Sequence, residues 1–362
     1  MDAAKSIYAT LFRLFPCPTQ VGLRRIGTPG RQSPVLVTCN FHLTVQRLTR
    51  VLREAGIDAW LLVADSRGVN VWCAAGAGEL DTRKVVSAVK TSGIADEVDH
   101  RTLILPPLAA PAVRVDGLRR QTGWKSRWGP VRATDLPRYL RGPWLRDEAM
   151  RRVTYTAEER LDTALGSLFP IYLAGGAGFA LLARQHLPSY LAIGAATFGG
   201  FMLLCPHLPG ATGLAKVLGL ELALATVAAH GARSGGGSRR LRAQVLIAMG
   251  TLLVWGGELG GLAPHMRSEL DPLLARLGVD RIGNASFAGT MRTDLLNRRR
   301  RLTYTEPRCN GCRRCFEVCP VGVWTMSSGK RAVLAQPDDC TACGACLAQC
   351  PTRAITAPVT SS

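Results

Sequence analysis

Acidic and aromatic side chains are scarce in this chain: 26 Asp and Glu stand against 45 Lys and Arg, a net charge of +19, and Phe, Trp and Tyr make up only 6%. A charge of that size suits nucleic acid or an anionic membrane face. No nucleic-acid motif accompanies it and few rings are available to stack on bases, so the reading is a membrane and no nucleic acid. The six histidines, His42, His100, His186, His207, His230 and His265, are scattered without metal-site spacing. The first residues, with Asp2 and short apolar stretches, do not read as a secretory signal. Charge nearly disappears from residues 163–263, where eight side chains carry it, far below the 20% of the whole chain. An apolar content of 47% excludes wholesale disorder, and 362 residues imply more than one domain.

Cysteine, in contrast, is concentrated. Eight of the twelve lie in two matching runs, Cys309, Cys312, Cys315 with Cys319-Pro320, and Cys340, Cys343, Cys346 with Cys350-Pro351. That spacing is the ligand pattern of two [4Fe-4S] clusters, in which the fourth cysteine of each run crosses to the other cluster. Cys309, Cys312, Cys315 and Cys350 are therefore assigned to the first cluster and Cys340, Cys343, Cys346 and Cys319 to the second. Zinc and disulfides fit this repeat poorly, because a tetrahedral ion has no use for a triple plus a remote Cys-Pro. Thiols that must stay reduced during cluster assembly place this domain in the cytoplasm. Val321 to Thr325 and Ala332 to Leu334 read as short strands around the turn at Ser327 to Lys330.

Four segments follow. Residues 1–160 alternate strand and helix patterns: strands at Pro34 to Thr38, Ala59 to Ala64, Thr102 to Leu105 and near Val131, helices at Leu43 to Glu54, Thr82 to Thr91 and Val113 to Thr122. Such alternation predicts a Rossmann-like α/β domain with a parallel sheet. Residues 161–263 read as an all-α transmembrane domain of about four helices, near 165–183, 189–205, 211–230 and 242–262. Against this, Lys216, Glu221 and Glu258 also fit buried helices of a bundle, and the arginines of the loop from Gly231 to Arg242 run against the usual charge bias of spans. Residues 264–300 form a basic linker, and residues 301–362 a small α+β dicluster ferredoxin. The whole is placed in the cell inner membrane with both flanking domains on the cytoplasmic side.

The stretch Asn70, Val71, Trp72, Cys73, Ala74, Ala75, Gly76 resembles the cap-helix motif of the corrinoid protein of the mercury-methylation pair. The flanking Leu61 to Gly68, Leu103 to Pro106 and Gly129 to Ala133 look like the same family, which is itself similar to the corrinoid iron–sulfur protein and the CO dehydrogenase/acetyl-CoA synthase delta subunit. Residues from about 290 onward resemble the dicluster ferredoxin partner, so the chain resembles both proteins fused.

The resemblance implies a cobamide held by residues 70–76, with Cys73 as lower axial ligand of cobalt and as the catalytic residue. A soft thiolate is a strong donor and would labilise the opposite cobalt–methyl bond. This role needs a thiol facing a cavity wide enough for a macrocycle, whereas an isolated cysteine between Trp72 and Ala74 is otherwise read as a small buried hydrophobe. The implied activity is a corrinoid- and iron–sulfur-dependent methyltransferase, taking a methyl group from a methyltetrahydrofolate-type enzyme or carrier. Its electrons would come from a low-potential donor, and Hg(II) would be the methyl acceptor. Two departures matter: no thiol follows Cys350, where the family ends in a cysteine pair, and Ala77 stands where the family often has lysine. Cys17, Cys39 and Cys205 are the remaining soft candidates. A methyl carrier acting on another acceptor in one-carbon metabolism, or a membrane-bound electron-transfer ferredoxin alone, are the alternatives.

Overall fold

The computed structural model describes residues 2–259 and 302–356, apart from residues 14, 155, 205–206, 209–212, 234–238, 338–339 and 341–342. The expected basic linker at 264–300 and Cys205 lie outside the described residues. In chain order the first elements are α1 (Asp2–Leu11), β1 (Gly22–Ile26), β2 (Val35–Cys39), α2 (His42–Glu54), β3 (Ala59–Ala64), α3 (Val71–Ala77), α4 (Thr82–Thr91), α5 (Ile94–Glu97) and β4 (Thr102–Leu105). There follow α6 (Val115–Thr122), β5 (Lys125–Trp128), α7 (Leu136–Arg141), α8 (Glu148–Arg151), α9 (Ala157–Leu182), α10 (Leu187–Leu204), α11 (Gly213–Arg233) and α12 (Arg239–Leu259). The chain ends with β6 (Thr303–Tyr304), α13 (Arg314–Val318), β7 (Trp324–Met326), β8 (Ala332–Leu334), α14 (Ala345–Gln349) and β9 (Ile355–Thr356). They fall into two compact units, one of residues 1–15 and 155–295, the other of residues 16–154 and 296–362.

The second unit is built on a five-stranded sheet in the order β1-β3-β2-β4-β5. Every residue of Val35–Cys39 and Ala59–Ala64 is buried, which is why these strands read as continuous apolar runs: both sheet faces are covered. Strands β2 to β5 are mutually parallel, but β1 pairs antiparallel with β3, so the sheet is mixed where an all-parallel one was expected. The Gly-Leu-Arg-Arg-Ile sequence of β1 hid this edge strand, because only Ile26 is buried and two adjacent arginines break the apolar run. Leu36, Leu61, Val63 and Ile104 point to one face against Val45, Leu52, Leu136 and Tyr139. Since the chain runs from β2 outward to β3 and then back across to β4, the order of strands reverses between β2 and β4. The crevice beyond the carboxyl ends at such a reversal is where open α/β sheets bind ligands.

The other unit is helical. The expected helices all form, near their expected positions, but the transmembrane reading is corrected: among the described residues no helix is long and apolar enough to cross a membrane. Helix α9 opens with Glu158, Glu159, Arg160 and Asp162 and contains Pro170, α10 has only 18 residues, and α11 carries Lys216 and Glu221. Three arginines fall in the first turn of α12. Polar side chains are also shared between helices, as where Thr197 and Thr251 hydroxyls meet at 3.1 Å. Phe201, Val217 and Leu252 form a core with Tyr172, Phe198 and Leu220 packed round it. The integral membrane partnership and the inner-membrane location drawn from the spans are therefore withdrawn with them. Helix α1 packs here, through Phe12 edge-on to Phe169 at 5.8 Å and an Arg13–Asp162 ion pair of 2.6 Å.

Candidate functional site

Three consecutive devices deliver α3 to the carboxyl edge of the sheet. Asn40, just beyond β2 and 5% exposed, accepts hydrogen bonds through Oδ1 from Ser66 N, Ser66 Oγ and Gly68 N, each at 2.9 Å. This ties the loop after β3 to the end of β2. Gly68 has φ +75°, and a Cβ there would sit 2.5 Å from the backbone nitrogen of Pro18, so only glycine fits. Asn70 then caps α3, its Oδ1 accepting from Cys73 N at 3.1 Å, and Gly78 ends the helix at φ +78°. Seven residues are too few for a stable isolated helix, so α3 depends on these ties. Its other support is the turn Pro107–Ala109 after β4, against which it packs.

Of the expected cobamide residues, Val71, Trp72, Cys73, Ala74 and Ala75 are buried and Gly76 is exposed. Cys73 is 4% exposed. Burial pushes its thiol up to about 11, the Asn70 side chain opposes this, and the neighbouring Cys39 thiol adds to it. Cys39, wholly buried at the end of β2, is likewise pushed up by burial. Cys17 joins the same edge, its N–H donating to Gly68 O and its carbonyl accepting from His42 N, both at 2.9 Å. The donor chemistry of Cys73 suits cobalt, a soft sulfur on a capped helix at the strand-order reversal. Its packing adds a condition: a macrocycle reaches the sulfur only if the cover over α3, including the Pro107–Ala109 turn, yields.

The cysteine runs fold into two pseudo-equivalent halves, each a short helix, α13 or α14, following a left-handed residue at Arg313 or Gly344. Cys309, Cys312, Cys315 and Cys350 line one cavity together. Cys315 is pushed up to about 12 by burial and by Cys312, Cys309 and Cys350, while Cys346 is raised by burial and by Cys343, Cys319 and Cys340. The chain thus gathers four and four, with the fourth member of each group drawn from the other run. Burial resists ionisation of Cys315 and Cys346 unless a cation takes their protons' place, whereas against desolvation hydrogen bonds hold the Cys309 thiol below its ordinary range. Among the described residues no three such groups converge as one metal ion requires. A cubane instead spreads its four ligands over separate corners.

Donors suited to cluster sulfur are in place. Val323 N–H points to Cys319 Sγ at 3.3 Å. Tyr304 Oη and Trp324 Nε1 are buried without a geometric hydrogen-bond partner, beside Cys309 and Cys346 respectively. Gly311, at φ +72°, brings its backbone so close that a Cβ would lie 2.7 Å from Lys330 O. These features fit two iron–sulfur clusters.

Within the same compact unit, the cysteine domain is docked onto the sheet's carboxyl edge. Gln349, 2% exposed, donates from Nε2 to the carbonyls of Ala110 and Val113, both at 2.8 Å. Ala110, Val318 and Ala345 form a buried apolar cluster with Trp128 and Cys343 against it. The Arg146 guanidinium, 4% exposed, pairs with Glu317 at 2.6 Å, and Arg314 holds Asp116 at 2.8 Å. Val153 N–H donates to Pro320 O at 2.9 Å. None of these partners was legible beforehand, because they lie 167 to 239 residues apart and each is an ordinary residue in its own segment.

Comparison with known proteins agrees with this division. Residues 4–140 match the family described as the CO dehydrogenase/acetyl-CoA synthase delta subunit, and residues 308–355 match the 4Fe-4S dicluster domain. Similar proteins include acetyl-CoA decarbonylase/synthase complex subunits gamma. That of Methanopyrus kandleri is 39% identical over 34% of this chain and 27% of the relative. Those of Archaeoglobus fulgidus and Methanocaldococcus jannaschii are each 35% identical over 36% of this chain and 27% and 26% of the relatives. The match thus spans about a quarter of these relatives' length. The chain carries a domain of the CO dehydrogenase/acetyl-CoA synthase delta subunit family together with a 4Fe-4S dicluster domain.

Proposed function

We propose that this chain is a corrinoid-dependent methyltransferase with a built-in dicluster reductant, acting with Hg(II) as methyl acceptor. The observation that carries the corrinoid and electron-transfer parts is the placement of α3 and the dicluster domain side by side on one edge of the sheet, at the strand-order reversal. A cobamide bound there supplies a cobalt that takes up and gives away a methyl group, and low-potential clusters supply the electrons that keep it competent.

On this reading Cys73 would hold the cobalt, and Asn70 fixes the short helix that carries it. Trp72, Ala74 and Ala75, all buried, keep water from the sulfur. Ligation requires the thiol to lose its proton, which burial resists, so metal binding and proton release are coupled at this one atom. Cys309, Cys312, Cys315 and Cys350 hold the first cluster, and Cys340, Cys343, Cys346 and Cys319 the second. The mercury assignment rests on the likeness of residues 70–76 and on the fused architecture.

A second reading, methyl transfer to another acceptor, is favoured by relatives that are subunits of an acetyl-CoA decarbonylase/synthase complex. Anoxic purification with cobalt and iron analysis tests the common part: bound cobamide and about eight iron per chain are expected for two cubanes, and iron without cobamide would leave an electron carrier only. Incubation with methyl donor, reductant and Hg(II) then separates the acceptors. Methylmercury formation supports the first reading, and turnover without it the second.

A further inference from the structure

We propose that electrons enter the dicluster domain at the cluster of Cys309, Cys312, Cys315 and Cys350 and leave through that of Cys319, Cys340, Cys343 and Cys346. The exit is the seam at Ala110 and Trp128. This rests on the cluster assignment above and goes beyond it by giving the two clusters different tasks.

The two cysteine groups are near copies in sequence but not in surroundings. In the first, Cys312 is exposed, and Arg313 lines the cavity beside it. In the second, the equivalent Cys343 packs in the apolar cluster with Ala110, Val318, Ala345 and Trp128. A cluster ligand itself is therefore part of the contact. Docking that served only stability could have used any face of so small a domain.

The far side of the seam leads directly to α3. Ala110, 0% exposed, ends the turn Pro107–Ala109, and that turn packs against α3. Gln349 clamps the same segment through the Ala110 and Val113 carbonyls at 2.8 Å. Arg146–Glu317 and Arg314–Asp116 hold α13 of the domain in place. A close-packed contact of this kind keeps water from the Cys343 side of the second cluster and preserves its distance to the acceptor, whereas the exposed Cys312 opens the first to solvent. In each passage one electron moves and no bond is made or broken. A low-potential one-electron carrier is oxidised by one, the first cluster takes and yields that electron, the second does the same, and cobalt at α3 is reduced by one.

The test uses the full-length chain with clusters reconstituted under anoxic conditions. Cys312→Ser marks which electron-paramagnetic-resonance signal belongs to the first cluster. Ala110→Asp places a carboxylate against Cys343, and a redox titration should show the second cluster's potential moved downward with the first unchanged, because added negative charge opposes reduction. A shift of the first cluster, or of neither, overturns the proposal. Should the buried aspartate prevent folding, the parent protein in deuterated water decides: strong deuterium modulation at the first cluster and weak at the second is expected, and equal modulation overturns it. Both readouts need no cobalt. A chain that lacks cobamide yet shows the asymmetry would remove the methyltransferase reading and leave the division between clusters intact.

Discussion

Replacing Gln349 by methionine isolates the grip between the dicluster domain and the sheet. The side chain keeps its length and bulk but loses both donors, so the carbonyls of Ala110 and Val113 lose the partners they have at 2.8 Å. Water cannot substitute readily, since Gln349 is 2% exposed and Ala110 and Val113 are 0% exposed. An orphaned buried polar group costs about 1–3 kcal/mol, and carbonyls tolerate this better than N–H groups. The two together should cost about 2–4 kcal/mol. Val115 N, 3.5 Å from Gln349 Oε1, adds little because that contact is long. Anoxic urea unfolding, followed by cluster absorbance and tryptophan fluorescence together, measures the loss. With a slope of roughly 1–3 kcal/mol per molar urea, the midpoint should fall by about 1–2 M. A fall smaller than about 0.5 kcal/mol, with the slope unchanged, would refute the claim that this amide holds the seam.

Three further outcomes are expected. Arg146→Met should destabilise by about 3 kcal/mol in the same assay, because the guanidinium is 4% exposed and its loss leaves the Gly129 and Glu317 carbonyls without their donor and Glu317 with only the longer Arg151 contact, and adding Glu317→Leu should restore part of that loss. Cys350→Ser should diminish the same resonance signal as Cys309→Ser although the two cysteines belong to different runs, and loss of the signal altered by Cys340→Ser would contradict the crossed grouping. Alkylation of Cys73, read by peptide mass spectrometry, should be about 100-fold slower at pH 8 than that of a thiol at 9 and should quicken about tenfold per pH unit towards 11, where the thiol ionises. The same raised thiol contributes stability fully below the unfolded thiol's range of about 8.5, and loses it as pH rises towards 11. Alkylation at pH 8 as fast as that of an ordinary exposed thiol would show that Cys73 is open to solvent.

Periodicity and spacing by themselves determined much of this protein. The buried strands Val35–Cys39 and Ala59–Ala64 announced themselves as apolar runs. The crossed cysteine groups followed from local repetition, because cluster ligation is encoded in short spacings. Hydropathy located the long helices but misjudged their surroundings: a helix buried among other helices and one buried in lipid have the same apolar excess. Only the structure fixed the helix bounds, and with them that no helix among the described residues is long and apolar enough to cross a membrane. Strand β1 escaped notice because an edge strand buries little. Tertiary structure alone decided that Cys73 is covered and lies near Cys39, and that Gln349, Arg146 and Arg314 find partners at the sheet edge. The physical reason is the same throughout: local interactions leave their period in the chain, whereas a contact between residues two hundred positions apart leaves only a pair of unremarkable side chains.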